Sequence, residues 1–230
     1  MSWLRLIEEN MKGKGNKITH LIKEMWAAYL IEILVIILGI SITLALEEWR
    51  DDGRERRLEK IYLSNLLTDI KTDRQSLDNT EARTRVLLQK ADELLHPAPG
   101  LRWREDVRTI LGRPKFISQD ATFSDLKSSG NLHLVNDISL KNLLFAYYDQ
   151  TQVIKEVQDA EQLATVTVSG PYFLNHVPLD DTDTLGVMAQ PRDVAFRNNV
   201  LLRVDNRKEL LRYYRNADSL AGLLQEALSK

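Results

Sequence analysis

Residues 25–46 read MWAAYLIEILVIILGISITLAL, and this stretch decides the architecture. Only Glu32, Ser41 and Thr43 interrupt its apolar character. A helix needs about 20 such residues to cross ~30 Å of hydrocarbon. Trp26 and Tyr29 stand at one end and Trp49 just past the other, where amphipathic rings settle between water and lipid. With Trp3 upstream, these are the expected membrane-interface anchors. The run is too long and too uniformly aliphatic for a core helix. It also exceeds the ~7–15 apolar residues of a cleaved signal, and Glu47, Glu48 and Trp49 follow it in place of a small-x-small site. We therefore expect a signal anchor that stays in the protein, within a helical stretch covering residues 16–50.

Upstream, residues 1–15 form a basic arm. Trp3, Leu4, Ile7 and Met11 share one helical face, which suits a short amphipathic helix lying on the membrane. KGKG at residues 12–15 then reads as a flexible break. The basic residues flanking the span tie: Arg5, Lys12, Lys14, Lys17 and Lys23 before it, Arg50, Arg54, Arg56, Arg57 and Lys60 after it. The second set is interleaved with acidic residues, and the amino terminus adds a charge to the first. The expected orientation has the N-terminus in the cytoplasm and the large domain outside it.

Glu32 lies about 9 Å along the helix from Trp26, inside the hydrocarbon. A carboxyl group there costs a few kcal/mol unless it is neutralised or paired. At about 100° per residue, Ala28, Glu32, Ile36, Gly39 and Thr43 share one stripe. Small and polar residues let helices approach closely and hydrogen-bond across the contact. With one span per chain, the partner is a second copy or another membrane protein. The stripe reads as an oligomer interface or as an ion pathway. The bland alternative is a protonated Glu32, or one that reaches back to the interface.

Between Glu47 and Leu95 there is no proline and a single glycine, Gly53. Leu63, Ile70, Leu77, Thr84 and Ala91 recur every seven residues, and Leu66, Leu87 and Leu94 partly fill a second position. This predicts a long membrane-proximal helix over 51–96 with a heptad seam, used either inside the chain or as a coiled coil between chains. The helix runs straight on from the span or bends near Gly53. HPAPG at 96–100 ends it.

The remainder, 97–230, reads as further helices: Glu105 to Leu111; one capped by Asp120 or Thr122 and stopped by Gly130; and one capped by Asn136 or Asp137. Ile138, Leu140, Leu144, Phe145, Tyr148 and Val153 are the expected buried positions of that last helix, which Gly170–Pro171 should break. A loop over 176–191 precedes two final helices, near 192–202 and 206–228. Leu210, Leu211, Tyr214, Leu220, Leu224 and Leu228 form the expected buried stripe of the second. No stretch alternates with period two. The fold class is all-α: an N-terminal transmembrane helix continuing into, or followed by, a long helix, with a helical-bundle soluble domain.

The 31 basic and 33 acidic residues nearly cancel, and no basic patch with interleaved aromatics invites nucleic acid. Cysteine is absent, which removes thiolate chemistry and suits an oxidising compartment. His20, His96, His133 and His176 have no metal-ligand spacing. Asp180, Asp181 and Asp183 lack the glycine and distal glutamate of a calcium loop. Asp69 and Asp73, one turn apart, read as a solvated face. No phosphate loop, nucleophile elbow or dinucleotide fingerprint occurs. No enzyme activity, cofactor or metal is expected, and no small-molecule ligand is indicated.

YLIEILVIILGISITLALEEW resembles the N-terminal span of an uncharacterised single-pass membrane-protein family abundant in Bacteroidetes, a domain of unknown function. The matching features are Tyr29, Glu32, Gly39-Ile40 and Trp49. YLSNLLTDIKTD resembles the start of that family's long helix, and FSDLKSSGNLHLV with LLFAYYDQ its central segment. Glu47-Glu48 stand where that pattern has asparagines. The resemblance implies membrane topology and a bacterial origin, and no activity. The expectation is a non-enzymatic protein that touches lipid, self-associates through its span and presents a helical interaction or sensing domain. The alternative is a small oligomeric channel, or a channel's accessory subunit, with Glu32 in its path.

Overall fold

A computed structural model describes the backbone of residues 3–98, 101–178 and 188–229, and the side-chain surroundings of these from Met25 onward except at 27 and 28. It divides into two units, residues 1–57 and 58–230. The described residues are all-α, with no strand. Helix α1 is Trp3–Leu95, α2 Trp103–Ile110, α3 Ala121–Ser128, α4 Ile138–Ala164, α5 Gly170–His176 and α6 Val194–Leu228. Helix α1 passes through residues 12–15 and Gly53 uninterrupted, where a break and a possible bend were expected. Its apolar stretch from Tyr29 is long and apolar enough to cross a membrane. The expected amphipathic face of the arm and the aspartates at 180, 181 and 183 lie outside the described residues.

Three long helices build the second unit, and each buries residues at alternating spacings of four and three. In α1 the buried positions are Leu66, Ile70, Asp73, Leu77, Thr80, Thr84, Leu87, Ala91 and Leu94. In α4 they are Leu140, Leu144, Tyr147, Thr151, Ile154, Gln158 and Glu161, joined by Tyr148. In α6 they are Phe196, Val200, Arg203, Arg207, Leu210, Tyr214, Ala217, Ala221 and Leu224, joined by Leu211. A period of 3.5 keeps one seam facing its neighbours along the whole helix. The α1 heptads are therefore core packing within the chain. Asp73 and Thr80 fill the second heptad position that apolar residues leave empty, and Asp73 is fully buried rather than on a solvated face.

Helices α1 and α6 are antiparallel: Arg74 meets Asp218 and Gln225, while Arg215 meets Glu81. Helix α4 also opposes α6, with Gln158 beside Tyr214 and Glu161 beside Arg207. Helices α1 and α4 are thus parallel, so the chain must travel back along the bundle between them. Residues 111–120 make that return, descending from α2 to α3 as an extended strap. Ten residues of extended chain span roughly 30 Å. At one end α2 closes a cluster of Ala91, Leu94, Trp103, Val107, Phe173 and Phe196. At the other, α3 packs Phe123 flat on Tyr148, with ring centroids 4.3 Å apart. Gly130, at φ 77, turns the chain out of that region.

Local signals explain most boundaries. Asp137 caps α4, its carboxylate accepting from the Ser139 and Leu140 amides. Asp193 does the same for α6 through the Phe196 amide. Three expectations are corrected. Gly170–Pro171 does not break the chain's helical path: a π-helical turn, Thr165–Ser169, widens the spiral and leads directly into α5. The Gly170 amide bonds the Thr165 carbonyl, and a Cβ at Gly170 would sit 2.9 Å from that oxygen. The wider turn absorbs a proline that a regular turn would reject. The two final helices are one, α6, because no glycine or proline stands between 202 and 206 and Arg203 and Arg207 are seam residues. Ile138 and Val153 are exposed, since Leu140 and Ile154 hold the seam register.

Truncating Ile70 to Ala removes a fully buried side chain and should cost about 2–5 kcal/mol. Ile138→Ala should stay within about 0.5 kcal/mol. Denaturant melts of the full-length protein in detergent, followed by circular dichroism, compare the two; equal losses would contradict this core.

Candidate functional site

Two groups of side chains depart from ordinary packing, one in each unit. In the first unit every described side chain from Tyr29 to Arg57 is exposed. Glu32, Ile36, Gly39 and Thr43 share one uncovered helix face. The Thr43 hydroxyl donates to the Gly39 carbonyl at 2.9 Å, which occupies its proton within its own helix. A Cβ placed on Gly39 would meet nothing. Trp26, Tyr29 and Trp49 are exposed at the margins of the apolar stretch. The side chains of Trp3 and Ala28 lie outside the described residues. Among the described residues, no side chain hydrogen-bonds or pairs with Glu32.

In the second unit, buried polar side chains converge on the strap. Asp73 accepts from the Tyr147 hydroxyl at 2.7 Å, the Ser118 hydroxyl at 2.8 Å and the Gln119 amide at 2.8 Å. Tyr148 donates to the Gln119 carbonyl. Gln158 grips Phe116 on both sides: its carbonyl oxygen accepts from the Phe116 amide at 2.8 Å, and its amide donates to the Phe116 carbonyl at 3.0 Å. Arg203 donates to the carbonyls of Ile110 and Gly112 and to the Thr165 hydroxyl. Arg207 donates to the carbonyls of Gly112 and Pro114. Glu161 lies 2.7 Å from the Arg207 Nε and 4.0 Å from Arg203. The closer pair lacks hydrogen-bond alignment and acts as a charge contact.

Burial dominates the electrostatics here. It pushes Asp73 above the usual carboxylate range, against the hydrogen bonds from Tyr147, Gln119 and Ser118, and the charge of Asp69 adds to the rise. Burial likewise raises Glu161, opposed by Arg207 and Arg203. It pushes Arg203 down to about 10, still charged at neutral pH, and lowers Arg207. These groups are nearly inaccessible and point at the chain's own backbone, so their chemistry is structural. The hollow beside the strap is lined by Lys115, Ile117, Ser118, Asp120, Thr151, Gln152 and Lys155; the Ser118 hydroxyl donates to Asp73 and the Thr151 hydroxyl to the Tyr148 carbonyl. Among the described residues, no three histidine or carboxylate groups could hold a metal ion. Sequence reasoning missed Gln158, Glu161, Arg203 and Arg207; the available signal was their heptad register with Leu144, Ile154, Val200 and Leu210. Searches of family models, curated proteins and solved structures find no match to this chain.

Glu161→Gln leaves two buried guanidinium groups without a counter-charge and should cost roughly 3–5 kcal/mol. A loss below about 1 kcal/mol, measured by denaturant melts, would sink the ion-pair account. A second test concerns pH. A raised carboxyl contributes stability that is complete below its unfolded value, about 4, and is lost as pH rises through the folded value. The stability of Asp73→Asn relative to the parent should therefore improve as pH rises from 4 toward 8; a difference independent of pH contradicts a buried, ionising Asp73.

Proposed function

We propose that this chain is a non-enzymatic, single-pass membrane protein that self-associates through its span and presents its helical domain as an interaction or sensing module. The observation that carries the reading is Glu32 exposed on an apolar helix, with no cover among the described residues. In hydrocarbon an ionisable group faces a partner or a water-filled path. Gly39 beside it leaves room for a second backbone. We place the protein in a bacterial inner membrane, with its N-terminus cytoplasmic and its larger unit periplasmic; the interleaved acids after Trp49 and the basic arm before the span support this orientation. The interaction role draws on an exposed apolar face at one end of the larger unit. Leu163, Val166, Val168 and Leu174 are all exposed there, and no charged residue occurs from Gln162 to Asn175. Uncharged apolar surface of that kind is characteristic of contact sites.

Glu32 also favours a second reading, a small oligomeric channel or channel subunit with this carboxyl in its path. The mass of the full-length protein and of Glu32→Gln in lipid nanodiscs, paired with ion flux in vesicles, separates the two. Loss of the oligomer on substitution is the expected result. An intact oligomer with changed flux selects the channel. A monomeric parent chain overturns both.

A further inference from the structure

Residues 47–57, just past the span, read EEWRDDGRERR. Their backbone is helical throughout and every side chain is exposed. At about 100° per residue, Glu47, Glu48, Asp51, Asp52 and Glu55 fall within about 140° of arc, and Arg50, Arg54, Arg56 and Arg57 within about 160° on the other side. No charge intrudes on the opposite arc. This separation works against the isolated helix. Like charges stand four residues apart at Glu47/Asp51, Glu48/Asp52, Arg50/Arg54 and Asp51/Glu55, whereas Asp52/Arg56 is the one opposite pair at that spacing. A helix that is polar all round needs either supporting pairs or outside cover.

The basic arc also has shape. Gly53 lies within it, and the hollow left there is lined by Trp49, Arg50, Asp52, Arg56 and Arg57. A side chain arriving from a neighbouring helix meets three guanidinium groups, with the Asp52 carboxylate at the rim of the acidic arc, around open space, since a Cβ at Gly53 would touch nothing. The direction of the span stripe matters as well. Carried at about 100° per residue, the arc of Glu32, Ile36, Gly39 and Thr43 continues into that of Arg50, Arg54 and Arg57. A two-fold contact through the Glu32 stripe would set these arginines against their own copies. Placing the stripe and basic arc of one chain on the opposite face of the next sets them against Glu47, Glu48, Asp51 and Asp52 instead.

We infer that residues 47–57 are a docking collar for a second copy of this chain, the basic arc of one copy seating the acidic arc of its neighbour, so that copies associate head to tail. The inference rests on the proposed self-association of the span and adds its geometry. A head-to-tail contact leaves a free face on each end and so repeats, closing into a ring when the rotation permits.

The chain has no cysteine, so introduced thiols report alone. Glu48→Cys and Arg50→Cys place one thiol on each arc at nearly the same height. Full-length protein carrying one or both is reconstituted in phosphatidylcholine vesicles, without anionic lipid, and treated with a short bismaleimide. The expected result is a ladder extending beyond dimer from the double variant and monomer from each single one. The ladder should fade in high salt. It should also vanish when Arg54 and Arg57 are changed to Glu, and return when that chain is mixed with one carrying Glu47→Arg, Asp51→Arg and Asp52→Arg. Dimer from either single variant, or a product that stops at dimer, overturns the head-to-tail contact. Nanodisc mass keeps the two proposals apart: an oligomer without a ladder overturns the collar alone, and a monomer overturns the span's self-association with it.

Discussion

An extended segment with no strand beside it must still bond its peptide groups, and the larger unit is organised around that requirement. Parallel α1 and α4 force the chain to return along the bundle, and the strap that does so lies along it with Phe116 buried and its neighbours at 115 and 117 exposed. Buried amides and carbonyls are almost never left unpaired. Here the partners are side chains from all three long helices: Asp73 from α1, Gln158 and Tyr148 from α4, Arg203 and Arg207 from α6. Each bond adds only about 0.5–1.5 kcal/mol net, while an orphaned buried group costs more. The bonds therefore select one register for the strap more strongly than they stabilise the fold.

The same constraint accounts for the charge balance of the interior. Two buried arginines face one buried glutamate, an arrangement that leaves a positive excess. The carbonyls of Ile110, Gly112 and Pro114 turn toward those guanidinium groups and supply the missing negative ends of dipoles. Arginine suits this role because its planar fork presents several donors and remains charged when desolvated. A lysine would deliver one point of charge and could not reach two carbonyls and a hydroxyl together, as Arg203 does.

How much of this was legible follows from which residues carry the pattern. The apolar span, the Asp137 cap, the Gly130 turn and the Leu63–Ala91 heptad are written in residue types with one dominant meaning. The rest is written in residues whose meaning depends on a neighbour. Asp73 reads as solvated until a tyrosine and an amide from the strap are brought to it. Arg203 and Arg207 fall in and just past the gap between the two expected final helices, because a seam is sought among apolar residues. Pro171 reads as a stop, and only the π-helical turn ahead of it shows otherwise. The strap has no periodicity of its own, so its course became visible through the side chains that hold it. The Glu32 stripe was legible as a face, and the structure keeps its described members together on that face.

The two units answer the same physical rule in opposite ways. In the larger one, the polar groups that hold the strap meet partners from the chain itself, and the Trp103 indole reaches the Pro178 carbonyl at 2.8 Å. In the smaller one, the apolar side chains, Glu32 and the sorted charges of 47–57 are all left facing outward. Lipid tails cannot answer a carboxyl group, and an acidic arc is answered by a basic one. On the proposed reading, lipid therefore covers the aliphatic faces of this helix, and the surface that meets its carboxyl and its charged arcs is the far side of another copy of the same helix.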